Sequence, residues 1–236
     1  VCASGGTVNT VDFDDMQAIA ALKKKYNFWW HIDAAFGGFV ACSPQFAPLI
    51  QGWEQADSIA VDLHKWLNVP YDSAVALVHE KHLGLQLNTF QNANAAYLGD
   101  PKANFNFLNF LPENSRRMRA LPAWMTLMAY GREGYRDIVE RNVTNARLLG
   151  ELIENSTHFK LLAPVRLNCV CFTLKDRPQA EVSQFLSQLV ANGNVYMTPT
   201  VYLGQSAIRA AMVNWRTQEA DVEMAFLEME SILNHP

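Results

Sequence analysis

The first eighty residues alternate short apolar runs with a segment of helical periodicity. Residues 13–26 predict a helix, because apolar positions recur at helical spacing, acidic residues stand near its start and Lys23 to Lys25 near its end. Short apolar runs predict strands at residues 1–3, 28–32, 58–61 and 74–78. Strands that alternate with helical crossovers indicate an α/β fold with a mostly parallel sheet.

The pattern changes after residue 88. Residues 88–114 contain many asparagines and few periodic apolar positions, which predicts a long loop. Helical periodicity returns over residues 115–155, with breaks expected at Gly131 and Gly134. Beyond it we predict an α+β unit, with strands near 159–163, 169–174, 195–202 and 207–213 and helices near 179–191 and 217–233. We therefore divide the chain into part of a large domain (1–112), a linking helical segment (113–155) and a small C-terminal α+β domain (156–236).

Composition narrows the class of protein. The 236 residues are 50% hydrophobic and 18% charged, as in globular proteins, and a net charge of -4 without a basic block argues against a nucleic-acid partner. The sequence has no apolar run of the about 20 residues needed to span a membrane, and it does not open with a charged leader, so we expect a cytoplasmic protein.

Val1 begins inside a predicted strand, which favours an interior position in a longer polypeptide. The four cysteines include no Cys-x-x-Cys pair, and we expect Cys169 and Cys171 to be buried thiols without a catalytic role.

Two polar clusters follow predicted strands, at the ends where open α/β sheets bind ligands. Asp33 lies in the run HIDAA at residues 31–35, and Lys65 lies in the run DLHKW at residues 62–66. A lysine at a buried strand end can act as a neutral amine and form a Schiff base with an aldehyde. A carboxylate beside a pyridine nitrogen keeps the ring protonated, so that the ring withdraws electrons from the reacting carbon. The two residues together predict a site for pyridoxal 5'-phosphate.

A metal site is the alternative interpretation of the same residues. His31 and Asp33 are two positions apart on one strand and face the same way, and with His64 they could hold a metal ion in a hydrolase. That interpretation leaves Lys65 unexplained and has no evident fourth ligand. Catalysis with pyridoxal phosphate is therefore favoured, and no metal is expected.

Several motifs in their order and spacing resemble one enzyme family. These motifs are HIDAAFGG at 31–38, ADS at 56–58, DLHKW at 62–66 and SRRMRAL at 115–121, followed by Trp124. They resemble the group II pyridoxal-phosphate-dependent amino-acid decarboxylases, which include the aromatic amino acid, glutamate and histidine decarboxylases. The resemblance runs from about Gly5 to Arg216 and implies a fold-type I enzyme that releases CO2 from an amino acid to form an amine. It also implies that an N-terminal half is missing from this chain and that the whole enzyme is a homodimer.

The resemblance carries roles to individual positions. Lys65 would be the Schiff-base lysine and Asp33 the partner of the pyridine nitrogen. Ala35 would pack against one face of the cofactor ring, and His64 and Asp62 would lie beside the lysine and the phosphate. Thr7 would lie at the edge of the cofactor, and Arg209 matches an arginine of the small domain whose role we leave open. A fold relative that has lost catalysis is a third alternative, and the presence of both Asp33 and Lys65 opposes it.

Two features depart from the family. The helix start that holds most of the cofactor phosphate, and the side chain that covers the second ring face, are not found in this sequence. The family also carries a loop tyrosine that delivers a proton after CO2 leaves, and alignment from Ser115 places Phe107 there. In the resembling family, phenylalanine at this position accompanies aldehyde-forming members. We expect amine formation as the main activity, with oxidative deamination to an aldehyde as the alternative, and the substrate is not readable from these residues.

Overall fold

The computed structural model describes residues 1–91, 106–113 and 115–234. Within these ranges the first sheet has four strands, adjacent in chain order: β1 (Cys2–Ser4), β2 (His31–Asp33), β3 (Ser58–Asp62) and β4 (Ala74–Val78). β1, β2 and β3 are parallel, and β4 is antiparallel to β3. The carboxyl ends of β1, β2 and β3 therefore meet at one edge of the sheet.

Short helices surround this sheet. Helix α1 (Met16–Lys23) crosses from β1 to β2, and helix α2 (Leu83–Phe90) follows β4. Asp15 caps α1 by accepting a hydrogen bond from Ala18 N at 2.9 Å. Met16 and Ala20 form the buried side of α1 and pack in one apolar core with Trp30 and Ile32.

The second sheet is antiparallel throughout. It contains β5 (Phe159–Leu161), β6 (Cys169–Leu174), β7 (Thr198–Tyr202) and β8 (Gln205–Ala211), in the spatial order β5-β6-β8-β7. Helices α4 (Gln179–Asn192) and α5 (Glu219–Asn234) pack against it. Every residue of β6 is buried, because this central strand is covered on both faces.

A long helix, α3 (Ala120–Asn155), joins the two sheets. Its backbone breaks at Gly131, whose φ of 60° and ψ of -172° are not helical. After the break, one group of buried residues packs with Trp66 and Leu67 beside the first sheet: Tyr135, Ile138, Val139 and Val143. A later group packs with the second sheet: Ala146, Leu149 and Ile153. Over the described ranges, none of the helices has the length and apolar character required to cross a membrane.

The predicted elements are largely present, with corrections to the bounds of several of them. Strands 74–78 and 169–174 and the helical break at Gly131 are confirmed, whereas α3 continues through Gly134 and begins at Ala120 rather than at residue 115. The strand predicted at 28–32 is wrong over residues 28–30, since Phe28 O accepts from Lys23 Nζ and Trp30 N donates to Asp57 Oδ2. The predicted loop 88–114 begins too early, because α2 extends to Phe90. Residues 92–105 and 114 of that loop lie outside the described part of the chain.

Asp57, immediately before β3, is a buried carboxylate that fixes the segments around the first sheet. It contacts Lys23 Nζ, Lys81 Nζ at 2.8 Å and His82 Nε2 at 2.7 Å. Burial acts to raise the pKa of Asp57, but the hydrogen bonds from these groups and from Trp30 N outweigh burial and hold the pKa well below its usual range. A carboxyl group whose pKa is lowered by folding stabilises the protein above its unfolded pKa of about 3.9. That contribution is lost as the pH falls further.

Asp57→Asn is expected to lower the free energy of unfolding at pH 7 by about 3 kcal/mol, because it removes the buried carboxylate that the partly exposed Lys23, Lys81 and His82 contact. The difference from the parent protein should shrink below about pH 4. Urea titration at pH 7 and pH 3 measures both values. The matched control is Asp137→Asn, which removes an exposed pair with Arg141 and should change stability by less than about 0.5 kcal/mol. Equal losses in the two variants would contradict a special role for Asp57.

Candidate active site

A cavity of about 590 Å³ opens at the carboxyl ends of the parallel strands. This is the edge at which open α/β sheets bind ligands, and the volume is in the range of small-molecule sites. Both sheets contribute to its walls. The lining residues are Ser4, Gly6, Thr7, Val8, Asp33, Ala35, Phe36, His64, Lys65, Tyr71, Arg209, Ala211 and Val213.

Close backbone packing forms one side of the cavity. Gly5 N donates to Asp33 O at 2.7 Å, so the loop after β1 lies directly against the end of β2. A Cβ atom on Gly37 would come within 2.2 Å of Gly5 O, and one on Gly6 would come within 2.9 Å of Gly37 N. Gly6 also has a φ of +114°, which favours glycine. These glycines allow the loop that carries Thr7 to approach the loop that carries Ala35.

Thr7 lines the cavity, but its hydroxyl is engaged within its own loop. Thr7 Oγ1 accepts from Asp12 N at 2.9 Å and lies 3.2 Å from Thr10 Oγ1. Its side chain therefore holds the loop together at the edge of the cavity.

Asp33 lies at the end of β2 with its carboxylate exposed in the cavity. Its Oδ1 accepts a hydrogen bond from Ala35 N at 3.1 Å, which orients the carboxylate. His31 does not line the cavity, and its Nδ1 lies 2.8 Å from Ser58 Oγ. Among the residues that the structure describes, no group of three or more His, Cys, Asp or Glu side chains is arranged to hold a metal ion. His31, Asp33 and His64 therefore do not form the ligand set that a metal hydrolase would need.

Lys65 reaches the cavity from the turn that follows β3. Its Nζ lies 2.8 Å from Asp62 Oδ2 and 5.2 Å from the centre of the Phe36 ring. Asp62 does not line the cavity, but its carboxylate contacts both Lys65 and, at 3.5 Å, His64 Nε2. The side chain of Lys65 is 28% exposed, which leaves its amine accessible to a small molecule.

His64 is fixed on two sides. Its Nδ1 lies 3.0 Å from Ser73 O, and its ring stacks on Tyr71 with ring centres 4.1 Å apart. Tyr71 was missed by the sequence interpretation, because it follows the DLHKW run without a motif of its own. It contributes an exposed aromatic wall beside His64.

Arg209 enters the cavity from β8 of the second sheet. Its guanidinium lies 4.9 Å from the centre of the Phe36 ring, and its Nε donates to Val8 O. Phe36 thus has two cationic neighbours, Lys65 and Arg209, and is itself 6% exposed. The sequence identified Arg209 by resemblance alone, and the structure places it at the same cavity as Lys65.

Cys169 and Cys171 lie beside this region on β6 and are buried, as predicted. Burial raises the pKa of Cys169 to about 11 despite the opposing effect of Arg209, and burial likewise raises the pKa of Cys171. Both thiols are therefore protonated at neutral pH and are poor nucleophiles.

Comparison with known families agrees with this geometry. The sequence profile of the pyridoxal-dependent decarboxylase conserved domain matches residues 1–175. This chain belongs to the pyridoxal-dependent decarboxylase family. The resemblance noted from the sequence motifs is confirmed, and with it the fold-type I α/β architecture and pyridoxal 5'-phosphate as the family's cofactor.

Both amine-forming and aldehyde-forming enzymes are among the relatives. An aromatic-L-amino-acid decarboxylase of Catharanthus roseus is 28% identical over 94% of this chain and 46% of its own length. A 3,4-dihydroxyphenylacetaldehyde synthase of Drosophila melanogaster is 26% identical over 98% of this chain and 45% of its own length. The structure of Catharanthus roseus tryptophan decarboxylase with L-tryptophan superposes with a TM-score of 0.85 at 25% identity, over 100% of this chain and 49% of that one. The chain thus spans about half the length of these relatives.

The described residues of this chain fit one end of the cofactor and leave another end without a partner. Lys65 would supply an amine for the aldehyde, Asp33 would supply a carboxylate for the pyridine nitrogen, and Ala35 has only a methyl group to occupy the cavity. None of the described lining residues begins a helix, which is the usual phosphate cradle. The described residues of this chain would therefore offer the cofactor an amine and a carboxylate.

Proposed function

We propose that this chain forms the lysine-bearing part of an amino-acid decarboxylase, a carboxy-lyase that converts an L-amino acid to the amine and CO2. The observation that carries the proposal is that Asp33 and Lys65, from the ends of neighbouring parallel strands, line one cavity. If Asp33 and Lys65 served only to stabilise the fold, their carboxylate and amine would not need to line the same cavity. Family membership supports the same conclusion.

In this proposal each residue has a separate task. Lys65 holds the cofactor through its Nζ, and Asp62 orients that Nζ through the contact at 2.8 Å. Asp33 keeps a proton on the pyridine nitrogen. His64 and Thr7 border the cofactor, Ala35 leaves room for its ring, and Phe36 excludes water beneath Lys65. Bound pyridoxal phosphate supplies an electron sink for the carbon that loses CO2.

The whole enzyme needs more than these residues. We propose that an N-terminal half, present in relatives of which this chain covers 46% and 45%, supplies the phosphate cradle and much of the substrate pocket. We also propose a homodimer, and a division of the chain into residues 1–112, 113–155 and 156–236, which assigns α3 to the link between the two sheets.

The test uses the full-length enzyme, purified with pyridoxal phosphate. It should absorb visible light and release CO2 from at least one amino acid in a screen that includes aromatic, acidic and imidazole side chains. Mass spectrometry of the products identifies an amine or an aldehyde. A preparation that binds the cofactor but releases no CO2 from any of them would contradict the proposal.

Aldehyde formation is the second candidate, and Phe107 favours it. Phe107 begins a short 3-10 turn, Phe107–Phe110, and its side chain is 68% exposed. A phenylalanine cannot deliver a proton, so a loop with Phe107 in place of a tyrosine would leave the carbon unprotonated after CO2 loss. At least three of the curated relatives are named as aldehyde synthases, one of Drosophila melanogaster, one of Petunia hybrida and one of a Rosa hybrid cultivar.

Phe107→Tyr is expected to increase the ratio of amine to aldehyde by at least about 10²-fold, the lower end for a positioned general acid. The exposed site accepts the extra hydroxyl, so stability should change by less than about 0.5 kcal/mol. Product analysis by mass spectrometry, with a peroxide assay, measures the effect. Phe107→Leu is the control, because it alters the same loop without adding a hydroxyl, and it should not increase amine formation. An unchanged ratio in Phe107→Tyr would mean that another group protonates the carbon. The candidates are Tyr97, which lies outside the described residues, and a residue of the missing N-terminal half.

A further inference from the structure

The turn that carries Lys65 is closed by Asn68. Asn68 N donates to Lys65 O at 3.0 Å, and Asn68 has a φ of 56°, in the left-handed region. Asparagine enters this region more readily than most residues with a side chain. The residue type therefore suits the backbone shape of the turn, although glycine would suit it equally well.

The carboxamide of Asn68 also makes hydrogen bonds to three backbone groups. Its Nδ2 donates to Trp66 O at 2.7 Å and to Val213 O at 3.0 Å. Its Oδ1 accepts from Trp215 N at 3.3 Å. Both amide hydrogens and the amide oxygen thus have backbone partners, which glycine could not provide.

Two of these partners belong to the segment after β8. β8 carries Arg209 to the cavity, and Val213, two residues beyond its end, lines the cavity directly. Asn68 therefore ties the wall that holds Lys65 to the wall that comes from the second sheet. Asn68 and Val213 are 145 residues apart in the chain.

The backbone after Lys65 is held at three successive carbonyl groups. Asn68 N donates to Lys65 O, and Asn68 Nδ2 donates to Trp66 O. Tyr135 Oη donates to Leu67 O at 3.2 Å. Trp66 and Leu67 are each 1% exposed, so this part of the turn is packed in the core. Asn68 supplies two of the three contacts, and the side chain of Lys65 has only Asp62 and Phe36 as neighbours of its Nζ among the described ion pairs and cation–ring contacts.

We propose that Asn68 is a positioning residue, whose carboxamide fixes the Lys65 turn against the second sheet so that Nζ meets the cofactor in a productive geometry. The inference rests on the proposed function of Lys65. Small displacements of a reacting group have large effects on rate, because orientation contributes much of the catalytic effect. Asn68 touches neither cofactor nor substrate in this proposal and acts through the backbone of Lys65.

The test is Asn68→Gly in the full-length holoenzyme. Glycine adopts the left-handed conformation without strain, removes the three carboxamide contacts and leaves the backbone of the turn freer to move. We expect kcat to fall by about 10- to 100-fold with KM changed less than about threefold, since the reacting amine is displaced while the part of the substrate pocket that we propose for the N-terminal half is not. The visible absorbance of the cofactor bound to Lys65 should also titrate at a different pH from the parent, because the nitrogen of Lys65 meets Asp62 at a changed distance.

The matched control is Asn145→Ala. Asn145 is a buried asparagine that also donates to a backbone carbonyl, Thr217 O at 3.0 Å, but it does not touch the Lys65 turn. It should lower thermal stability while kcat and the absorbance titration stay at parental values. Parental kcat and titration in Asn68→Gly, or equal changes in both variants, would overturn the positioning role. Borohydride reduction of the parent separates the two proposals: no label on Lys65 defeats the proposed function and the inference with it, whereas a label combined with a parental Asn68→Gly defeats the inference alone.

Discussion

Lys65→Ala is expected to lower the rate of decarboxylation by at least about 10⁴-fold, since it removes the amine that we propose to bind and position the cofactor. In the parent, borohydride reduction followed by peptide mass mapping should find the pyridoxyl group on Lys65. The amine is suited to this role by its position in the cavity, 2.8 Å from Asp62 and partly exposed. The variant should lose the label and the visible absorbance of the lysine-bound cofactor.

Lys65→Arg is the matched control for charge. It keeps a cation beside Asp62, but its guanidinium stays protonated and does not form a Schiff base with the aldehyde of the cofactor. It should therefore be as inactive as Lys65→Ala while retaining more of the parental thermal stability. A pyridoxyl label on Lys81, or on Lys102 outside the described residues, would contradict the assignment of Lys65.

Asp33→Asn is expected to lower turnover by about 10²- to 10³-fold, the cost of removing one electrostatic contact to developing charge. The amide keeps the size of the carboxylate but no longer stabilises a proton on the pyridine nitrogen. Asp33 is exposed and makes one local hydrogen bond to Ala35 N, so stability should change by less than about 0.5 kcal/mol. Steady-state kinetics, with cofactor content measured separately, distinguishes slower chemistry from cofactor loss. Turnover within a few-fold of the parent would indicate that Asp33 has a structural role only.

The sequence correctly predicted that strands end near Asp33 and Lys65, although it began the first of these strands three residues too early. Both residues follow apolar strands, and parallel neighbours bring their carboxyl ends to one edge of a sheet. The helix 13–26 is shorter in the structure because Asp15, one of its acidic residues, is the cap rather than part of the helix. Hydrophobic periodicity locates a helix, but it does not show which of several neighbouring polar residues caps the helix.

The parts that could not be predicted depend on partners far along the chain. Residues 28–30 have the apolar composition of a strand, but Phe28 O accepts from Lys23 Nζ and Trp30 N donates to Asp57 Oδ2. These two backbone groups are therefore not available to pair with a neighbouring strand. Tyr71 and the contacts of Asn68 with Val213 and Trp215 likewise have no local signal, since an exposed tyrosine and an asparagine in a turn are common in any protein. Arg209 reaches the cavity because β8 pairs with β6, a register that depends on the folded sheet.

The attachment of Asn68 to Val213 has a consequence for the order of events during protein synthesis. A ribosome adds about 5–20 residues per second, so the 145 residues between these two positions take about 7 to 30 seconds to translate. During that interval the nascent chain already contains the lysine motif, while the strand that completes the cavity has not yet been made. We therefore expect the cofactor to join this enzyme after translation has passed Trp215, and messages truncated before that codon to yield chains that carry the lysine without a finished pocket.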